Sequence, residues 1–143
     1  MHGLVNSILA SVIFLFEASE QDLSIARYDD AIRTVMNIIH KDFCTGVNLS
    51  KLANAVYLSP SHLSRKFHRS VGMSIGDYVK RLRMDTVTRL LVSTDCSITE
   101  ICYEVGFVSL STFSLEFKRI YGVSPGEYRR MNQKTKNIKQ QTL

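Results

Sequence analysis

Apolar residues recur every three or four positions through most of this chain, and no stretch alternates with the period of two that marks a half-buried strand. Leu49, Leu52, Ala53 and Val56 form one such stripe; Ile32, Val35, Met36, Ile39 and Phe43 form another within Arg27 to Phe43. A longer stripe, Tyr78, Val79, Leu82, Thr86, Leu90 and Leu91, runs from Ile75 to about Ser93 and predicts a helix of roughly 27 Å at 1.5 Å per residue. Two prolines and seven glycines are the only strong breakers in 143 residues, so the pattern predicts an all-α protein.

The chain also repeats itself. At a shift of 50 residues, Phe67 to Tyr78 lies over Phe117 to Tyr128, with Phe, Arg, Gly, Ser, Gly and Tyr matching and Asp77 facing Glu127. Upstream the register slips by one residue in a turn, and at a shift of 49 Leu49, Leu52, Ala53 and Val56 lie over Ile98, Ile101, Cys102 and Val105. Each copy predicts a short helix, a turn, a second helix, a Gly stop and a third helix. The start signals are Ser59-Pro60, Ser74 with Asp77, Ser97 with Glu100, Ser109, and Ser124-Pro125 with Glu127. Gly72 and Gly122 supply the stops.

These signals organise the chain as an apolar N-terminal segment, 1–25, a tandem unit, 26–131, and a polar basic tail, 132–143, expected to be disordered. The tandem unit divides into a first part, 26–73, a linker helix, 74–94, and a second part, 95–131. Leu4 to Phe16 is apolar around most of a helix surface, yet too short for a membrane span of about 20 residues. It lacks the basic start of a signal peptide and is expected to bury itself, either against a second copy as a homodimer contact or as the remnant of an upstream dimerisation or effector domain.

Charge sharpens the picture. The net charge is +5, but residues 1–50 hold three basic and six acidic side chains, whereas residues 51–143 hold fifteen and seven. The basic excess sits on the repeat, as expected of a surface that meets phosphates. Cys44, Cys96 and Cys102 have no metal-ligand spacing and suit a reducing cytoplasm, with Cys102 on an apolar face. No spacing of nucleophile, base or paired carboxylates suggests an enzyme, and no cofactor is expected.

Two short helices and a tight turn, the second helix polar on its outer face, form the arrangement that enters a major groove. In the first copy Leu63 and Phe67 face inward, flanked by Lys66 and Ser70, and Ser61, Ser64, Arg65 and His68 point outward. Arg65 alone there can reach guanine O6 and N7 in bidentate fashion; His62 completes the candidate set. In the second copy Phe113 and Phe117 face inward, and Ser111, Ser114, Leu115 and Lys118 face outward. The halves are therefore expected to be unequal, with the first reading sequence and the second supplying mainly phosphate contacts.

Residues 48–131 resemble the DNA-binding domain of AraC/XylS-type bacterial transcription regulators. The resemblance rests on Leu58-Ser-Pro-Ser-His-Leu-Ser-Arg-Lys-Phe67 with Gly72, on Ile98, Ile101-Cys102 and Gly106-Phe107, on Phe113 with Phe117-Lys118, and on Gly122, Ser124-Pro125 and Tyr128-Arg129. It implies seven helices, a promoter-bound activator in contact with RNA polymerase, and base-reading positions at Ser61, Ser64 and Arg65 and at Ser111, Thr112, Ser114 and Leu115. Leu115 departs from the polar or basic residue expected there. The competing class is a protein-interaction module that antagonises a related regulator by heterodimerisation, a reading that rests on Leu4 to Phe16.

Overall fold

The computed structural model describes the backbone of residues 28–141 and the side chains of residues 28–133. Among the described residues every regular element is a helix, and there are seven: α1 (Asp30–Asp42), α2 (Leu49–Ala55), α3 (Pro60–Val71), α4 (Ile75–Ser93), α5 (Ile98–Glu104), α6 (Leu110–Tyr121) and α7 (Pro125–Gln141). The apolar segment Leu4 to Phe16 lies outside the described residues. Two compact units divide between Leu82 and Arg83, inside α4.

In the first unit, the Asp29 carboxylate caps α1 by accepting from the Ile32 amide at 3.1 Å. That bond, and after it the Lys66 ammonium, holds the Asp29 carboxyl below its usual range. Ile32, Val35, Met36 and Ile39 then present one buried face, against which α2 and α3 pack. Asn48 caps α2 and Ser59 caps α3, with Pro60 at the first position, where a missing N–H costs no hydrogen bond. Leu52, Ala53, Leu63 and Phe67 are the inward residues, as their spacing predicts. Leu49 is the exception, 37% exposed at the first position of α2.

The second unit repeats these devices with small changes. Ser97 and Glu100 close a reciprocal capping box on α5, and Ser109 caps α6. Ile101, Cys102, Val105, Phe113 and Phe117 are buried to the last atom, and burial pushes the Cys102 thiol upward in pKa. The duplication extends to aromatic geometry. Phe67 meets Tyr78 edge-on with centroids 5.5 Å apart, and Phe117 meets Tyr128 edge-on at the same separation. Around Phe117 the second unit adds Phe113 and Tyr121, so an aromatic cluster fills its core.

The long helix α4 lies within the 74–94 expected of a linker and serves both units: Val79 and Leu82 belong to the first core, whereas Met84, Val87, Leu90 and Leu91 are buried in the second unit. The tail differs from expectation, because α7 continues through residues 132–141 where a disordered polar tail was expected. No glycine or proline follows Gly126, and polar residues such as Lys and Gln carry little intrinsic penalty in a helix. Arg129 anchors the start of this helix, donating to the Leu91 carbonyl at 3.0 Å and the Thr94 carbonyl at 3.4 Å. Those carbonyls lie at the end of α4, where the helix leaves acceptors without internal donors.

The Tyr78 ring, met edge-on by Phe67, stacks on His40, and the Tyr78 hydroxyl and His40 Nε2 share a 2.7 Å hydrogen bond. Desolvation lowers the His40 pKa, so the fold favours the neutral ring. Stability tied to His40 is therefore complete above the unfolded value, near ~6.5, and is lost as pH falls below it. Denaturation of the protein at a series of pH values should show a decline as pH falls below neutrality that His40→Gln flattens. An unchanged slope in that variant would remove His40 from the account. Asp29 and Glu127, whose carboxyls are also lowered, remain ionised through the histidine window, so what they contribute is lost only at more acidic pH.

Candidate nucleic-acid interface

Each unit contains a pair of short helices joined by a tight turn, and the two turns are built alike. The Leu58 amide bonds the Ala53 carbonyl at 3.0 Å, and the Phe107 amide bonds the Cys102 carbonyl at 3.1 Å. One residue before each amide the chain adopts a left-handed conformation, at Tyr57 with φ 57° and at Gly106 with φ 96°. Glycine accepts that geometry without penalty. Tyrosine holds it at a steric cost of about 1–2 kcal/mol, with its ring 96% exposed. After this point the second turn carries one residue more, Val108, which accounts for the one-residue slip in the repeat.

Helix α3 stands on Leu63 and Phe67, both fully buried, so the opposite face is fixed toward solvent. Ser61, His62, Ser64, Arg65 and His68 are all exposed there. Arg65 has no ion-pair or hydrogen-bond partner among the described residues. Lys66, next to it, is committed elsewhere: its ammonium lies 3.0 Å from the Asp29 carboxylate and ties α3 to the start of α1. Sequence reasoning placed Lys66 on the inner flank but could not supply this partner. The helix carries Arg65, Lys66 and Arg69 and no acid, a composition suited to an anionic ligand.

Helix α6 stands likewise on Phe113 and Phe117. Ser111, Thr112, Leu115 and Lys118 are exposed, and Ser114 is half-buried. Arg119 is paired within the helix to Glu116 at 2.9 Å. The outward face is thus poorer in long donors than that of α3, as the spacing predicts. Val108, just before the Ser109 cap, is 93% exposed and is a surface residue that sequence reasoning passed over. The slip in the repeat register was the signal that could have found it.

Two such pairs, each with its second helix anchored inside and polar outside, define a tandem helix-turn-helix protein. The comparisons agree, since a helix-turn-helix domain family matches residues 52–131, more than half of the chain. The Msm operon regulatory protein of Streptococcus mutans is 32% identical over 130 residues, covering 91% of this chain and 47% of that protein. The xylose operon regulatory protein of Escherichia coli K12 is 34% identical over 104 residues, 73% of this chain and 26% of that protein. Among solved structures, the C-terminal domain of AraT, a response regulator from Geobacillus stearothermophilus, superposes with a TM-score of 0.68 at 34% identity, covering 73% of this chain and 88% of that one. The chain belongs to the AraC/XylS family of DNA-binding transcription regulators. It spans half or less of the length of the two curated relatives, both of them bacterial. Among the described residues no helix is long and apolar enough to cross a membrane.

Proposed function

We propose that this chain reads a specific promoter sequence in double-stranded DNA by inserting α3 and α6 into successive major grooves, and that it acts there as an activator in contact with RNA polymerase. The observation that carries the reading is Arg65, exposed and without a partner among the described residues, on a helix whose inner face is locked by Leu63 and Phe67. A guanidinium in that position suits guanine, whose O6 and N7 accept two parallel hydrogen bonds. Ser61, His62, Ser64 and His68 surround it, while Ser111, Thr112, Ser114, Leu115 and Lys118 form the second surface. The protein works in the cytoplasm.

Fluorescence anisotropy with duplexes selected from random sequence tests the proposal. A preferred site should emerge with two blocks of favoured positions about 10 base pairs apart, the spacing of successive major grooves on one face. It should bind at least about 10³-fold more tightly than scrambled DNA, with affinity falling steeply as salt rises. Equal, weak binding to every duplex would sink the reading.

A further inference from the structure

We infer that the second recognition surface reads thymine through its methyl group, with Val108 and Leu115 as the contacting side chains. This rests on the proposed insertion of α6 into a major groove and names what that helix recognises there. The two copies make the substitution visible. At the shift of 50 residues Ser61 faces Ser111 and Ser64 faces Ser114, but Leu115 stands at the place of Arg65. A bidentate hydrogen-bond donor in one unit is replaced by a branched hydrocarbon in the other.

Leu115 is not an isolated surface leucine. Counting back along α6 by three or four residues leads from Leu115 to Thr112 and Ser111, which share its stripe, while Val108 stands in the turn just before the Ser109 cap. Leu115 is 72% exposed and Val108 93% exposed, while the opposite face of α6 is occupied by the buried Phe113 and Phe117. The core therefore has no use for either aliphatic group. Val108 has no counterpart in the first unit, where the shorter turn passes directly from Leu58 to Ser59. The inserted residue thus adds a second exposed aliphatic group at the entrance of the helix.

Within the major groove a base pair presents donors, acceptors and a single apolar group, the C5 methyl of thymine. An exposed leucine beside two hydroxyls on one helix face, with a second aliphatic group at the helix entrance, matches an A·T step, since Ser111 and Thr112 can donate or accept while Leu115 and Val108 cover methyls. It also selects against G·C, because guanine O6 and N7 would lose water against hydrocarbon and gain no donor.

The test uses the full chain and its selected site. Each thymine is replaced in turn by deoxyuracil, which keeps the hydrogen-bonding edge and lacks only the methyl. Binding is compared for the native protein, Leu115→Ala and Val108→Ala; both residues are exposed, so neither change opens the core. At one thymine or more, removal of the methyl should weaken native binding about fourfold, the value of one buried methyl-sized group. The same replacement should cost Leu115→Ala or Val108→Ala less than about half of that factor. If every uracil duplex binds the native protein and both variants with the same ratios, the methyl contact is overturned while sequence-specific binding stands. If no duplex is preferred at all, the proposed function falls and this inference falls with it.

Discussion

Phe117→Ala is expected to cost about 3–5 kcal/mol of stability, the range for deleting a fully buried phenyl ring. Phe117 is wholly inaccessible, and its ring meets Phe113, Tyr121 and Tyr128 at centroid separations of 6.1, 4.5 and 5.5 Å. Truncation removes the hub of that cluster, and aromatic walls held by separate helices collapse poorly into the space. Since a whole domain is stable by only about 5–15 kcal/mol, that loss is a large share of the total and should lower the urea midpoint markedly. Urea denaturation followed by circular dichroism checks this, and Phe117→Leu should lose much less because most of the volume is kept. A loss below about 1 kcal/mol for the alanine variant would mean that the cluster closes around the gap.

The second large effect concerns recognition. Arg65→Ala should weaken binding to the preferred site by about 1–3 kcal/mol, or roughly 5- to 150-fold, while binding to scrambled DNA changes far less. The loss should be larger than that of Leu115→Ala, because a bidentate charged contact outweighs apolar contact with a methyl. Arg65 is exposed and has no partner among the described residues, so the change should be read mainly in recognition, with an unchanged urea midpoint of the variant as the control. Should Leu115→Ala relax the sequence preference more than Arg65→Ala, the assignment of the dominant reader is reversed. Lys66→Ala offers a contrast: it breaks the ion pair with Asp29 and should lower stability by less than about 1 kcal/mol, the usual worth of an exposed pair.

The ends of the helices were legible in the sequence because capping is local. Ser59, Ser97, Ser109 and Ser124 each bond an amide three residues onward, and nothing distant is needed to see it. The inward residues were legible for a related reason, as Leu63, Phe67, Phe113 and Phe117 repeat at four-residue spacing on two short helices. The end of α7 was not legible. A polar run without breakers reads equally as a solvated tail or as a solvated helix, and composition does not separate them.

What the sequence by itself determined is the duplicated helix-turn-helix plan, with its boundaries, its inward stripes and the outward set from Ser61 to His68 and from Ser111 to Lys118. Periodicity and caps are relations between residues a few positions apart, so they survive in one dimension. Only the tertiary structure decided which charges are already spent. Lys66 is bound to Asp29 and Arg129 to the carbonyls of Leu91 and Thr94, partners more than thirty residues away, while Arg65 is exposed and has no partner among the described residues. It also decided that Val108 stands in solvent at the entrance of α6, because exposure depends on what the folded chain brings near and no local pattern encodes it.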